Sequence, residues 1–394
     1  MVTAVDNVEP FDVQLFDKDL SPIGWVGDPE LLNVTPRHNQ QPSARLTVPA
    51  DHRYARALAA PGTRAVVRHQ DEHATSGPVR LVRSTGAGDT RMMTFEITDD
   101  WRLLTRLLGW PNPTGSITQQ GDDGAYDVRS GAAETVLKAF LTANLARLGA
   151  GTHHLPVTIA PDQGRGASID VQMRMHPLAD RVLPAIDQAG IGVTVRQGPT
   201  GLVVDCYEPT QWPLNLSEDG GSLIASDWSL AAPEVTRVIV MADGEGEARV
   251  MRGPFVNTDA ETAYRDVIER AIDARDLKST ELDFETRVAA RAAEALAAGA
   301  AKAGLAVRLA ETDTFRYGGD GVHVGDRVTV ELAPATDDAA ALLHTDVLRE
   351  ATLTWGRDGA VVTPTVGDRD GDTERIFTRA LAVLARRYRD LAGD

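Results

Sequence analysis

At 394 residues, with 42% hydrophobic and 25% charged residues, the chain is too long for one ordinary core and too apolar for disorder, so two to four domains are expected. A formal net charge of −17 argues against duplex DNA or an anionic membrane as a docking surface, because such binders must bring Lys and Arg to phosphates. No apolar run reaches the ~18 to 20 residues that a membrane helix needs, and the opening residues carry no signal-peptide pattern, so folding in a cytoplasm is the expectation.

The 35 glycines and 21 prolines are spread along the chain in the manner of many short strands, which predicts a mostly β protein with several helices. Phe11 to Asp17 alternates apolar and polar residues, Pro22 to Gly27 turns and re-enters, and Ala44 to Val48 alternates again before Pro49. Further strands are expected at Arg64 to His69, Val79 to Arg83 and Met92 to Ile97, an even spacing that fits a barrel or sandwich. Asp100 is placed to cap a short helix carrying Trp101, Leu104 and Leu108, and Trp110-Pro111-Asn112-Pro113 closes this first domain.

After a polar loop at 114–125, Ala132 to Leu148 reads as a helix with Val136, Phe140, Leu141, Leu145 and Leu148 on one stripe. Leu178 to Gln188 reads as a second helix, interrupted by Pro184, leading into paired strands Gly192 to Arg196 and Leu202 to Tyr207. Cys206, in that last strand, is the sole cysteine; it excludes an internal disulfide and reads as core filling. Val235 to Met241 and Ala248 to Met251 flank Asp243-Gly244-Glu245-Gly246-Glu247 as a hairpin, whereas the apolar residues of Ala263 to Arg275 fit a helix and a strand equally well. An Ala-rich helix is expected from Asp283 to about Lys302, and an amphipathic one from Thr373 to Leu391.

The most patterned stretch is Tyr317-Gly318-Gly319-Asp320-Gly321-Val322-His323-Val324-Gly325-Asp326-Arg327-Val328-Thr329-Val330. Its Gly and Asp residues mark turns, and its valines alternate with polar residues, so it reads as a tight β-hairpin. Leu305 to Leu309 and Ala351 to Val362 supply the remaining strands.

Motifs with chemistry mostly fail on spacing. His69 and His73 are four apart with carboxylates between them, but they fall between strand signals, as an exposed hairpin tip would. His153-His154 lacks a nearby carboxylate. Asp368 to Glu374 has calcium-loop composition with its glycine at the wrong position, and Gly244-Glu245-Gly246 begins a dinucleotide fingerprint that ends on Arg249 instead of glycine. Asp99-Asp100 as a glycosidase pair would crowd or point apart. The expectation is no catalytic residue, no metal and no cofactor.

Several weak motifs occur together in one order: Asp99 to Leu104 followed by Trp110 to Pro113, Ser130 to Lys138 with Asn144, Gly244 and Gly246 with Arg249, Glu269 to Asp276, and the turn built on Tyr317, Gly318, Asp320, Gly325 and Asp326. In these the chain resembles the hub-type minor tail proteins of long-tailed actinobacteriophages, related to the N-terminal hub module of tail-associated lysins and to contractile-tail baseplate hubs. Two details depart from the family pattern: Val322 and His323 stand where an aromatic is frequent, and Val324 where Leu is usual.

The resemblance implies an α+β, mainly β fold with two hub β-barrels, an inserted mixed α/β domain and a C-terminal helix. It maps the first barrel to 1–110, the insert to 111–219 and 256–307, the second barrel to 220–255 and 308–370, and the helix to 371–394. It also favours a strand over a helix at Ile268 to Ala274. The implied protein is a non-enzymatic virion component, assembled in the host cytoplasm, that forms a homotrimer at the tail tip.

Its implied partners are the distal tail protein, the tape-measure protein and downstream tail-tip or receptor-binding proteins, with DNA only in transit and no stable membrane association. No added peptidase or lysozyme-like domain is expected after the last helix, which puts a cell-wall-cutting role in doubt. A tail-associated cell-wall hydrolase and a receptor- or carbohydrate-binding module are the rival readings; the 5% aromatic content disfavours the latter.

Overall fold

The computed structural model describes residues 11–121, 124–149, 154–217, 220–300, 302–309, 311–312, 315–332, 342–356 and 359–366. His153, the acidic stretch 368–374 and the helix expected at 373–391 lie outside the described residues. The chain divides into two compact units, Met1–Ser226 with Val307–Gly367, and Asp227–Ala306 with Asp368–Asp394.

The first unit opens with β1 (Phe11–Phe16), β2 (Pro22–Trp25), β3 (Leu31–Thr35), β4 (Ser43–Pro49), a one-turn helix α1 (Ala55–Leu58), β5 (Arg64–His69), β6 (Glu72–Thr85) and β7 (Met92–Thr98). Alternation does here what it predicts. Val13, Leu15, Leu32, Val34, Leu46, Val48 and Phe95 are buried while their neighbours in sequence face outward.

The strands pair antiparallel in the order β3-β4-β7-β6-β5-β1-β2. At 14 residues, β6 serves two partners, β5 with its first half and β7 with its second. Its corner is Gly77-Pro78: a Cβ on Gly77 would stand 2.0 Å from the carbonyl oxygen of Thr98, so no larger residue fits the crossing.

The α/β segment follows with α2 (Arg102–Arg106), β8 (Leu108–Gly109), β9 (Asp127–Ala132), α3 (Ala133–Leu148), β10 (Val157–Ile159), β11 (Ser168–Met173), β12 (His176–Pro177), α4 (Leu178–Gln188), β13 (Gly192–Gln197) and β14 (Leu202–Tyr207). Val136, Leu137, Phe140 and Leu141 of α3, with Val182, Leu183 and Ile186 of α4, pack on Met173, Val193, Val195 and Val204. Two stripe residues fall elsewhere, since Leu108 and Leu148 are exposed. Cys206 is buried in this core, and burial pushes its thiol up to about 12.

β15 (Gln211–Ser217) and β16 (Leu223–Ala231) come next. The second unit then contributes β17 (Arg237–Met241), β18 (Met251–Val256), α5 (Thr258–Tyr264), β19 (Glu269–Asp273) and α6 (Phe284–Ala298). β17 pairs antiparallel with β18 and parallel with β19, and α6 buries Phe284, Val288 and Ala292 against Val238 and Val240. The ambiguous 263–275 stretch is therefore split, its N-terminal end closing α5 and its centre forming β19. Asp283 occupies the N-cap of α6, without a side-chain capping bond.

The chain returns in β20 (Lys302–Leu309), β21 (Arg327–Leu332), β22 (Leu342–Gly356) and β23 (Gly359–Val366). β22 is 15 residues long; its first part pairs with β21, which also lies parallel to β15, and its second part pairs with β23 on one side and β3 on the other.

The resemblance places 220–255 in one barrel with 308–370; within that range β17 pairs with β18 and with β19, and α6 packs on Val238 and Val240. Among the described residues the strand path is open at its ends, and β22 joins β3, so the mainly β α+β class is found without closed barrels.

Candidate functional site

The patterned stretch 317–330 is not a two-stranded hairpin. Tyr317 and Val322 make one isolated bridge across a turn, Val322 is buried without being in a strand, and only Arg327 onward enters β21. The glycines explain why: Gly318, Gly319 and Gly325 have φ of +84°, +61° and +101°, which coils the backbone where an alternating strand would run straight.

This turn rests on β5, β6 and β14. The Tyr317 ring lies 5.9 Å from that of His69, which is itself 4.8 Å from Phe11. His69 is thus buried rather than at an exposed tip, and burial lowers its pKa; Gln70 and Asp71, both with positive φ, form the tip. A Cβ on Gly325 would stand 2.4 Å from the ring of Tyr207, and the Tyr207 hydroxyl is 2.7 Å from His38 Nδ1.

Asp326 accepts from the backbone N–H of His323 at 2.8 Å and of Thr210 at 3.3 Å, closing the end of the turn and tying it to the segment that leads into β15. His323 Nε2 lies 2.8 Å from Glu72 Oε2, and hydrogen bonding to Asp326 with the charge of Glu72 raises its pKa. Asp320 is exposed at the apex. Of the sequence-chosen residues, Tyr317, Gly318, Asp320, Gly325 and Asp326 are therefore brought together.

Gly244, Gly246 and Arg249 form the β17–β18 loop of the second unit. Gly244, at φ +87°, would place a Cβ 2.3 Å from the Ala248 carbonyl, and Gly246, at φ +55°, opens a 3-10 turn to Ala248. Arg249 Nη2 donates to the Met241 carbonyl at 2.8 Å and to Asp273 at 2.5 Å, tying the loop to β19. Its partial match to a dinucleotide fingerprint is thus a hairpin closure.

Two polar nodes escaped the sequence reading. In the first, Asp100 does not cap α2: the N-cap is Trp101, whose backbone N–H donates to Asp99 at 2.7 Å, while Asp100 is wholly buried 2.5 Å from Arg64. Ser76 Oγ donates to Asp100 at 2.9 Å and accepts from the backbone N–H of Gln197 at 2.9 Å, and Arg64 Nε donates to Gln197 Oε1 at 2.7 Å. Burial pushes Asp99 up to about 7 and raises Asp100 against the pull of Arg64.

In the second node, Asn39 reaches Asp187 and the carbonyl of Ile191 at 3.0 Å each, and Arg349 Nη1 reaches Asp187 at 2.7 Å. Burial works against ionisation of Asp187, but the bond from His38 and the Arg349 charge outweigh it and hold the carboxyl well below its usual range. Both nodes clamp the α/β segment to the strands of the same unit.

Among the described residues no group of three or more His, Cys, Asp or Glu is placed to hold a metal, and no helix is long and apolar enough to cross a membrane. The residues fix backbones to one another.

Residues 12–368 match the family described as Siphovirus ReqiPepy6 Gp37-like protein. The chain belongs to that family. The Gp37-like chain also shares the fold of solved phage tail proteins, at sequence identities that speak for fold alone.

The 43 kDa tail protein of prophage MuSo2 from Shewanella oneidensis is 11% identical with TM-score 0.54, covering 90% of this chain and 98% of that one. The tail protein from Neisseria meningitidis MC58 is 13% identical with TM-score 0.50, covering 91% and 96%, and prophage tail protein gp18 from Listeria monocytogenes EGD-e is 10% identical with TM-score 0.50, covering 95% and 99%. No curated protein matches the chain in sequence.

Two of the motif residues quoted for the resemblance meet in space, since Asn144 of α3 accepts from the backbone N–H of Trp110 at 3.0 Å, and Arg147, outside those motifs, lies 4.2 Å from the Trp110 ring. The Gp37-like protein is mainly β, of α+β class, and shares that fold with these tail proteins.

Proposed function

We propose that the Gp37-like chain forms a homotrimeric hub at the distal end of the tail tube, in the virion, adapting six-fold tube symmetry to a three-fold tip. The observation that carries the reading is the sharing of β22 between β21 and β3, which fuses two β regions of one chain into a single sheet system. Three such chains would present six β regions to a hexameric tube, so the adaptor needs shape and rigid coupling rather than a reactive group. The two regions act as barrel-like ring elements, with the distal tail protein above, receptor-binding or tip proteins below, and tape-measure protein and DNA passing through.

The acidic balance supports a conduit role. Three copies carry 3 × −17 = −51 formal charges, and an anionic wall repels phosphate so that DNA passes without sticking. Image averaging of intact particles tests the proposal directly: three copies around an axial hole at the tip are expected, and one copy, six copies or a position along the tube would end it.

A further inference from the structure

One end of the first unit gathers positive charge on an otherwise acidic chain. α2 begins beside the corner of β6, where the backbone N–H of Asp100 donates to the Ser76 carbonyl at 2.7 Å and Val79 pairs with Ile97. Arg102 and Arg106 are one turn apart on α2, and Arg80 follows the corner on β6. Burial first, and then the charges of Arg80, Arg106 and Arg64, disfavour the charged Arg102 guanidinium, against Asp100, whose near carboxylate oxygen is already held by Arg64.

Arg80 and Arg106 are exposed and Arg102 is half-buried. The Nη1 of Arg102 is buried without a hydrogen-bond acceptor among the described residues. Guanidiniums gathered at one end with Asp100 already engaged by Arg64 repel one another, and carboxylates arriving at the exposed Arg80 and Arg106 relieve that repulsion.

We propose that Arg80, Arg102 and Arg106 form a docking patch for carboxylate side chains of a second copy of this chain. The inference rests on the homo-oligomeric reading above and names the surface through which it is built. With 57 acidic against 40 basic residues, a neighbouring copy offers more carboxylates than cations, and a cationic patch locally reverses the repulsion between two bodies of charge −17.

A basic patch meets an acidic one and never itself. Within a three-fold ring such a contact is head-to-tail, the patch of each copy meeting carboxylates of the next. Duplex DNA fits less well, because three guanidiniums neutralise about three phosphates within the field of a strongly acidic body.

The test is the mass of the purified chain against concentration, at low ionic strength and at about 0.5 M salt, where charge contacts are screened beyond ~5 Å. Arg80→Glu with Arg106→Glu reverses the exposed charges and leaves the buried Arg64 and Asp100 pair intact. Arg83→Glu with Arg91→Glu, on exposed positions of the neighbouring hairpin, makes the same change in net charge away from the patch.

The expected result is a wild-type assembly that loosens with salt, a midpoint concentration about tenfold or more higher for R80E/R106E, and a shift under about threefold for R83E/R91E. R80Q/R106Q shifts the midpoint the same way by a smaller factor. If R80E/R106E keeps its native circular dichroism and assembles like wild type, the patch is wrong and the homo-oligomer stands. If wild type stays a single chain at every concentration, both fall. If wild type retards duplex DNA in a gel and R80E/R106E does not, the patch belongs to phosphate and the proposal is overturned.

Discussion

Arg64 Nη2 lies 2.5 Å from Asp100 Oδ2, with 4% and 0% of the two side chains exposed, so a complete ion pair sits inside the protein between β5 and the start of α2. Such pairs contribute little net stability, because desolvation offsets the Coulomb gain, but breaking one strands a buried charge. Arg64→Ala and Asp100→Ala are each expected to cost about 3–5 kcal/mol. Arg64→Met with Asp100→Leu should recover most of that loss, since it removes both charges. Urea unfolding of the three variants checks this, and single-variant losses under about 1 kcal/mol would contradict it.

Gly325 and Tyr207 supply a cleaner steric test. Gly325→Ala meets two obstacles at once, a φ of +101° and a ring atom 2.4 Å from the new methyl group. A loss of roughly 2–4 kcal/mol is expected, of which about 1–2 belongs to the backbone. Tyr207→Ala added to Gly325→Ala should remove the collision and leave the backbone part, so the double loss is smaller than the sum of the singles. A double-mutant cycle that is additive within about 0.5 kcal/mol would show that the contact does not govern the turn.

The legible parts of this fold were those written in local pattern. Alternation located β1 and β4, and helical spacing located α3, because in each the buried face is formed by neighbours in one short segment. Longer-range pairing decided the rest. Nothing local in 342–356 announces that one strand will serve β21, β23 and β3, and nothing in 237–256 tells which helix will cover β17. Asp100 looked like a cap for the same reason: Arg64 and Ser76, which claim its carboxylate, lie 36 and 24 residues away. An arginine beside Ala65-Val66-Val67 in a buried strand was the one available signal.

Two groups give stability a definite slope in pH. His323 is raised above its usual 6.5 by hydrogen bonding to Asp326 and the charge of Glu72, so its contribution is complete below 6.5 and is lost as pH rises through the higher folded value. The stability difference between wild type and His323→Gln should therefore shrink from pH 6 to pH 9. Asp99, held up to about 7 by burial against an ordinary 3.8, stays protonated in the folded state over a window in which the unfolded chain has lost that proton. Wild type should lose up to roughly 4 kcal/mol relative to Asp99→Asn between pH 4 and pH 8. Denaturant melts of the three proteins across that range separate the effects, and parallel curves would refute both.

The same loop closes two hairpins, one in each unit, and its two glycines are not equivalent. Gly86-Ala87-Gly88-Asp89-Thr90-Arg91 repeats the geometry of Gly244-Glu245-Gly246-Glu247-Ala248-Arg249: φ is +93° and +55° in the first, +87° and +55° in the second. In each, a Cβ on the leading glycine would strike a carbonyl four residues on, at 2.7 Å from Thr90 and 2.3 Å from Ala248, whereas the second glycine faces open space. A φ near +55° lies in the left-handed region that asparagine tolerates. Gly246→Asn and Gly88→Asn should therefore cost under about 1 kcal/mol, while Gly244→Ala and Gly86→Ala should cost roughly 2 kcal/mol or more, because the carbonyl cannot yield without opening the 3-10 turn. Thermal melts of the four variants decide it: equal losses at the leading and second glycines would mean that chain flexibility, rather than the carbonyl contact, fixes this loop.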